Sequence, residues 1–202
     1  MKKVLIATGN PAKLTEIKQY LADLPVQFVS LKDLGITQEV EEDTNTYEGN
    51  SQKKALFYAK LSGLPTISDD GGLEIAALNG LPGVNARYFG DAKGSDEAII
   101  EKMKQVLLDA GENREVTFVG VNTFAFPNGK YWSVGANVHL ELAEKPLFKF
   151  IKGFPYRSFL VLPGTQKYFH ESELTDAQRS KYNHRYKSLM KLKKIIQREL
   201  HI

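Results

Sequence analysis

The sequence predicts an α/β protein with a mixed central β-sheet flanked by helices, arranged as two lobes around a cleft. Three observations favour this class. Short aliphatic runs alternate with helix-like segments early in the chain, two long strand patterns follow in the middle, and the last segment repeats apolar residues at helical spacing. At 202 residues the chain is long enough to bury a sizeable core as one domain, residues 1–202.

The early part of the chain is predicted to alternate strands and helices. Lys3–Thr8 is an aliphatic strand, and a proline then supplies the fixed φ that opens a helix over about Pro11–Asp23. We expect a second strand at Gln27–Leu31, a helix over about Tyr47–Leu61 and a short buried strand at Pro65–Ser68.

The rest of the chain is predicted to be β-rich in the middle and helical at its end. Ser95 is expected to cap a helix that ends near Asp109. Glu115–Phe126 and Lys130–Leu142 form a long hairpin, and a helix over about Tyr186–Leu200 closes the chain.

Composition excludes several classes of protein. No apolar run approaches the roughly 18 residues that span a bilayer, so no membrane partner is expected. The two lysines after Met1 precede an apolar stretch too short for a signal peptide, which favours a first strand and a cytoplasmic location. The absence of cysteine excludes disulfides, thiolate nucleophiles and cysteine-bound zinc. A metal would therefore be Mg²⁺ or Mn²⁺ on carboxylate oxygens.

Positive charge is concentrated near the C-terminus, although the net charge is only +3. Eight Lys and Arg residues lie between Arg179 and Arg198. Such a block could attract nucleic acid or a small polyanion, or could form the solvated face of a helix. Only one face of that helix is basic and few aromatic residues interleave with the charges, so we expect no nucleic-acid partner.

The segment Thr8–Lys13 is a candidate phosphate site. It places Thr8, Gly9 and Asn10 where a strand turns into a helix N-terminus, with Lys13 one turn later. Free backbone N–H groups and the helix dipole at such a turn attract anions. The segment does not match the Walker A pattern, and a tight turn with a surface lysine is the alternative.

Two carboxylate clusters are candidates for a metal site. Asp69 and Asp70 follow the predicted strand Pro65–Ser68, and Glu41–Asp43 lies in a polar stretch before the helix that carries Lys54. Adjacent carboxylates raise one another's pKa unless a cation neutralises them, so the aspartate pair indicates a Mg²⁺ site. The alternatives are an acidic loop and an Asx-type turn.

Aromatic and basic residues late in the chain are candidates for base recognition. Phe154 and Tyr156 lie in a stretch with glycine and proline, where they would either stack on a base or anchor the loop to the core. His184 and Arg185 would either hydrogen-bond a base edge or meet solvent at a helix start.

The order of these motifs resembles the Ham1-like inosine triphosphate pyrophosphatase family over nearly the full chain. The segments that carry the resemblance are Ala7–Glu16, Glu41–Glu42, Asn50–Ala55, Asp69–Leu73, Leu81–Tyr88, Glu173–Thr175 and Asn183–Arg185. The resemblance implies an ITPase-like fold and Mg²⁺-dependent hydrolysis of a nucleoside triphosphate to the monophosphate and pyrophosphate. It also implies deaminated purine substrates such as ITP and XTP, and a homodimer.

The resemblance also implies roles on the phosphate side. Thr8–Lys13 would cradle the phosphates with Lys54 beside them. Glu42 and Asp70 would hold the metal ion, and Asp70 would also orient or deprotonate the attacking water, with Asp69 in support.

On the base side, the resemblance implies that Phe154 and Tyr156 flank the base and that His184 and Arg185 read its six-position oxygen. Arg179 stands where the family has a lysine near the ligand. Gly71 stands where the family has a serine after the paired aspartates.

The departures from the family pattern cluster on the base side. Arg157 replaces an aspartate and Ser158 a proline in the aromatic loop, and Asn183 replaces the serine before the His-Arg pair. We therefore expect a purine pyrophosphatase whose base preference is altered. The alternatives are a pyrophosphatase for a pyrimidine or modified nucleotide, and a non-catalytic nucleotide-binding relative.

Overall fold

A computed structural model of the chain describes residues 1–91, 94–170 and 172–202. Its strands form one seven-stranded mixed sheet in the order β2-β1-β3-β5-β6-β7, with β4 paired to β3. The strands are β1 Lys2–Ala7, β2 Val26–Ser30, β3 Thr66–Ile75, β4 Pro82–Gly83, β5 Glu115–Ala125, β6 Tyr131–Leu142 and β7 Leu160–Val161.

Five α-helices accompany the sheet in the described part of the chain. They are α1 Pro11–Tyr20, α2 Tyr47–Ser62, α3 Asp96–Asp109, α4 Asp176–Tyr182 and α5 His184–Leu200. Side-chain oxygens cap four of them, because Asn10, Thr46, Ser95 and Thr175 each accept a hydrogen bond from a first-turn N–H. None of the described helices is both long enough and apolar enough to cross a membrane.

The chain divides into two compact units. The first unit comprises Met1–Asp70, Gly120–Ala136 and Arg185–Ile202. The second unit comprises Gly71–Val119 and Asn137–His184.

In the first unit, β1 lies between β2 and β3 and runs parallel to both. Alternate side chains of β1 enter different clusters, as the two-residue period of a strand requires. Val4 and Ile6 pack with residues of α1 and α5, whereas Leu5 and Ala7 pack with Tyr58 of α2. The sheet of this unit is therefore covered by α1 and α5 on one face and by α2 on the other.

The second unit has its own core. Buried residues of α3, including Ile99 and Met103, pack with Leu140 of β6, with Phe159 and with Phe169. β4 pairs antiparallel with the later part of β3, and β7 pairs antiparallel with the end of β6.

The expected fold class is confirmed, and most elements lie within a few residues of their predicted ranges. One strand differs clearly: β3 continues to Ile75 instead of ending at Ser68. Leu73 and Ile75 are fully buried, and Leu73 is in register with β4, so the strand continues through its two glycines. The sequence reading also missed α4, which starts at a capping box formed by Thr175 and Gln178.

Candidate active site

The predicted phosphate turn lies between β1 and α1 and is organised by Asn10. Its Oδ1 accepts hydrogen bonds from the backbone N–H groups of Ala12 (2.9 Å) and Lys13 (3.2 Å). The Asn10 N–H donates in turn to Thr8 Oγ1 at 3.1 Å. The free N–H donors expected here therefore have side-chain partners in this structure. Gly9 is exposed, and no atom lies within 4 Å of the position that a Cβ would take.

Lys13 reaches from this turn to Asp69. Its Nζ lies 2.7 Å from Asp69 Oδ1. Arg185 of α5 also binds Asp69, through Nε to Oδ2 at 2.8 Å and through Nη2 to Oδ1 at 3.2 Å. The remaining arm of Arg185 donates to Glu16 Oε2 at 2.6 Å. The buried guanidinium is thus bracketed by two buried carboxylates, which is the arrangement that a charge away from water needs.

Lys54 forms a second ion-pair cluster with two acidic residues. Its Nζ lies 2.7 Å from Asp70 Oδ1 and 3.1 Å from Glu42 Oε2. Lys54 and Asp70 are buried, whereas Glu42 lies on the exposed stretch before α2. The structure therefore brings Lys54, which was predicted to lie beside the phosphates, together with Glu42 and Asp70, which were predicted to hold the metal ion.

Strand geometry separates the two neighbouring aspartates. Successive side chains of a strand point to opposite faces, so Asp69 meets Lys13 and Arg185 from the α1 and α5 side, and Asp70 meets Lys54 from the α2 side. Repulsion between these two neighbouring carboxylates, which the sequence led us to expect, is therefore not the main influence on their pKa values.

The two aspartates differ in acidity. Burial raises the pKa of Asp70 to about 6, against the opposing charges of Lys54 and Lys13. Burial acts in the same direction on Asp69, but Arg185 and Lys13 outweigh it and hold the pKa of Asp69 well below its usual range. Asp69 is therefore the stronger acid of the pair and Asp70 the weaker one.

The donor set fits a hard divalent cation only in part. Among the described residues, no group of three or more His, Cys, Asp and Glu side chains is placed to hold a metal ion. Mg²⁺, however, is commonly bound by one or two carboxylates together with substrate phosphates and water. Asp70 and Glu42 converge on one cation, the Lys54 ammonium, so the pair fits this looser type of site.

In the second unit, Phe154 is covered by Arg157. The guanidinium carbon of Arg157 lies 3.6 Å from the centroid of the Phe154 ring and 5.6 Å from that of Phe169. Arg157 is only 4% exposed. Its charge thus lies against aromatic faces, where a planar guanidinium stacks favourably.

Arg185, which was predicted to read the base, instead binds Asp69 and Glu16 in the first unit. The other residues predicted to bind the substrate also have structural contacts of their own. The buried Tyr156 hydroxyl donates to the Ala86 carbonyl, and burial raises the pKa of Tyr156. The His184 ring stacks on Phe118 with centroids 4.8 Å apart. Arg179 donates to the Leu174 carbonyl at 3.1 Å, and Gly71 is a half-buried residue of β3.

Sequence reasoning assigned no role to three buried polar residues that support the Lys13 cluster. Glu16 lies three residues after Lys13 and binds Arg185. Asn122 of β5 donates to Asp69, and Ser188 of α5 donates to Asn122. Asn122 interrupts an aliphatic strand pattern, which was the only sequence signal that could have singled it out.

Comparison with known proteins places this geometry in a family. The model of the Ham1 family matches residues 4–195. The chain belongs to the Ham1 family. Among its Ham1 relatives, the dITP/XTP pyrophosphatase of Thermus thermophilus is 36% identical over 193 residues, which cover 94% of this chain and 89% of the relative. The dITP/XTP pyrophosphatase of Bacillus subtilis is 35% identical over 199 residues, covering 98% of each.

Solved Ham1 structures share the fold. A HAM1 protein from Coxiella burnetii superposes with a TM-score of 0.81 at 28% identity, covering 98% of this chain and 100% of that one. The Ham1 protein of Staphylococcus aureus gives 0.80 at 28% identity with the same coverage. The ITPase-like fold and the family predicted from the sequence motifs are both confirmed.

Proposed function

We propose that this Ham1 family member hydrolyses non-canonical purine nucleoside triphosphates of the dITP and XTP type to the monophosphate and pyrophosphate. One observation carries the proposal: relatives that match almost end to end bear the name dITP/XTP pyrophosphatase. The same match disfavours the alternatives of a pyrimidine nucleotide substrate and a non-catalytic relative.

The Lys13 and Lys54 clusters supply the means of binding a triphosphate. Each ammonium lies 2.7 Å from an aspartate oxygen of β3 and is held in one place by it. The side chain of Lys13 is 22% exposed, so it can contact a phosphate while Asp69 and Arg185 fix its position. Positioned cations of this kind are the main source of catalysis in phosphoryl transfer.

Asp70 is the group we assign to the attacking water. Burial raises the pKa of Asp70 to about 6 in the metal-free protein. Beside a divalent cation its carboxylate would stay ionised and could accept a hydrogen bond from the water, which would orient that water for attack. Asp69, held as an anion by Arg185 and Lys13, positions Lys13 and takes no part in proton transfer.

We further propose that Mg²⁺ or Mn²⁺ is held by Asp70 and Glu42. A bound divalent ion would supply positive charge to the phosphate oxygens as negative charge develops there. Lys54 contacts both carboxylates in this structure and keeps their oxygens convergent.

For the base, we propose that Phe154 supplies the aromatic surface and that Arg157 holds that ring in place. Tyr156 and His184 contribute by fixing the surrounding chain through Ala86 and Phe118.

We also propose a homodimer, the commonest symmetric assembly of soluble enzymes. Its test is the mass in solution at micromolar concentration, where a strictly monomeric mass contradicts it.

The function is tested with a panel of triphosphates. The protein is incubated with Mg²⁺ and dITP, ITP, XTP, dUTP or each common triphosphate, and pyrophosphate and monophosphate are both measured. We expect one pyrophosphate per monophosphate and the highest kcat/KM for dITP, ITP and XTP. Preference for dUTP, release of inorganic phosphate instead of pyrophosphate, or no turnover would each overturn the proposal. EDTA tests the metal: undiminished turnover in EDTA would exclude it.

A further inference from the structure

A buried amide lies behind the Lys13 cluster. Asn122 is fully buried on β5. Its Nδ2 donates to the Ser68 carbonyl and to Asp69 Oδ2, each at 3.1 Å. Its Oδ1 accepts from the Ser188 hydroxyl at 2.6 Å. The amide therefore links β5, the aspartate of β3 and helix α5 within the first unit.

The partners of Asn122 allow its amide only one orientation. Exchanging oxygen and nitrogen would place Oδ1 against two acceptors, the Ser68 carbonyl and the Asp69 carboxylate. In a fully buried site such an unmade bond costs the desolvation of each group. Ser188, also fully buried, stabilises the observed orientation by donating to Oδ1.

Asp69 consequently has two donors on each oxygen. Oδ1 accepts from Lys13 Nζ at 2.7 Å and from Arg185 Nη2 at 3.2 Å. Oδ2 accepts from Arg185 Nε at 2.8 Å and from Asn122 Nδ2 at 3.1 Å. Asn122 is the one neutral donor of the four, and it approaches from a strand, not from a helix. It adds an uncharged contact from the strand side to a carboxylate that Arg185 already binds through both oxygens.

We propose that Asn122, oriented by Ser188, is a positioning residue that fixes Asp69 and, through it, the Lys13 ammonium for the triphosphate. The proposal rests on the proposed function, since it assigns Lys13 to the phosphates. Asn122 itself touches no reacting atom. Its effect reaches the substrate through one carboxylate and one ammonium, and is therefore independent of the base.

The test replaces the amide without opening a large cavity. Asn122→Leu is expected to lower kcat/KM by about tenfold, because small displacements of a positioning group are costly. The loss should be the same for dITP and XTP. Ser188→Ala, a milder change that leaves the Asn122 amide in place, is expected to give a smaller loss. It keeps the proposal testable if Asn122→Leu folds poorly.

A double-mutant cycle separates positioning from general destabilisation. If Ser188 acts through Asn122, the double variant loses no more activity than Asn122→Leu alone. Thr123→Val is the matched control. It removes the part-buried hydrogen bond between Oγ1 of Thr123, a buried residue of β5, and Ser133 Oγ at 2.9 Å, in which Asp69 takes no part. It should lower Tm and leave kcat/KM unchanged. Additive losses, or an equal loss in Thr123→Val, would overturn the proposal.

A spectroscopic measurement keeps this inference separate from the proposed function. Proton–nitrogen correlation spectra that detect lysine NH₃⁺ groups, assigned with Lys13→Arg, report the Lys13 ion pair without substrate. We expect Asn122→Leu to shift this signal and speed its proton exchange, and Thr123→Val to leave it in place. An unchanged Lys13 signal refutes the positioning role even if turnover falls. A parent protein that releases no pyrophosphate refutes the function alone.

Discussion

The two units of the molecule treat their predicted site residues differently. In the first unit, Lys13, Lys54, Asp69 and Asp70 meet one another in two ion-pair clusters. In the second unit, Tyr156 and His184, which were predicted to recognise the base, bond a carbonyl and stack on Phe118, and the Arg157 guanidinium lies over the Phe154 ring. A buried charged side chain needs a partner of opposite charge, so a sequence motif with charged residues also predicts what kind of group they contact. An aromatic motif gives no such prediction, because a ring packs acceptably against many surfaces.

If the first unit carries the catalytic residues, the largest loss of activity should come from a substitution at Asp70. Asp70→Asn keeps the size of the side chain but removes the proton acceptor and a carboxylate from the proposed metal site. We expect kcat to fall roughly 10²- to 10⁴-fold, the range of a lost general base. Pyrophosphate release under saturating substrate measures it.

Asp43→Asn is the matched control for Asp70→Asn. Asp43 lies on the same acidic stretch as Glu42 and forms an exposed ion pair with Lys53 at 2.6 Å. Parental turnover is expected from this control. Parental turnover from Asp70→Asn would show that Asp70 and its cluster in the first unit do not carry out the hydrolysis.

The two lysines should give the next largest effect. We expect Lys13→Ala and Lys54→Ala each to lower kcat/KM by roughly tenfold to hundredfold, the value of a hydrogen bond to a charged group. The loss should be equal for dITP, XTP and dGTP, since a phosphate contact carries no information about the base. Lys53→Ala, the neighbour of Lys54 with an exposed partner, should change nothing. A loss confined to one base would assign the lysine to base recognition instead.

The pKa of Asp70 predicts an unusual pH dependence of stability. Its folded-state pKa of about 6 lies above the ordinary 3.8, so the folded protein binds the proton more tightly. This contribution to stability is complete below about pH 4 and is lost as pH rises through about 6. In EDTA, we expect Asp70→Asn to gain roughly 2 kcal/mol of unfolding free energy relative to the parent between pH 4.5 and 7. Urea unfolding at both values measures this, and a constant difference would contradict it.

The contrast between Asp69 and Asp70 shows how far the sequence could be interpreted. The order of motifs was enough to predict the family, and the lysines and aspartates that it singled out in the first unit lie in two ion-pair clusters. What sequence did not reveal is that β3 runs on to Ile75, so that the aspartates lie within a strand and point to opposite faces. Their opposite pKa shifts follow from that strand, not from their adjacency.

The contacts of Asn10 and Asn122 were equally out of reach. A capping asparagine was not distinguished from a phosphate-binding one, because both occur where a strand turns into a helix. Asn122 depends on Ser68, 54 residues away, and on Ser188, 66 residues away. Local sequence patterns carry no information about pairings at that separation.

A smaller loss of activity is expected from Gly9→Ala, which tests whether a phosphate approaches the turn between β1 and α1. A Cβ at Gly9 would meet no atom within 4 Å, so Gly9→Ala should alter the unfolding free energy by no more than about 0.5 kcal/mol. If a phosphate approaches there, the added methyl should lower kcat/KM by about tenfold. Gly135→Ala, whose nearest atoms are at 3.8 Å, is the control expected to leave both quantities unchanged. Full activity in Gly9→Ala would place the phosphates elsewhere.

The smallest effect concerns Arg157 and tests the second unit. Arg157→Met keeps an unbranched side chain of similar length and removes the guanidinium that lies 3.6 Å from the Phe154 centroid. Because the ring loses its stacking partner, we expect the ratio of kcat/KM for XTP over GTP to fall about fivefold, equivalent to roughly 1 kcal/mol. The KM for Mg²⁺ should not change, since Asp70 and Glu42 belong to the first unit.

Lys102→Met provides the comparison for Arg157→Met, because Lys102 also lies over an aromatic ring of the second unit, that of Phe89 at 5.9 Å. Lys102→Met should lower neither the ratio of kcat/KM for XTP over GTP nor the turnover. Arg157→Asp with Ser158→Pro, which restores the residues the family pattern has at these positions, extends the test in the other direction. A rise in purine selectivity in that variant would show that the loop has been redirected from its usual role. An unchanged ratio in both Arg157 variants would mean that the stack on Phe154 only supports the fold, and base recognition would then have to be sought outside this loop.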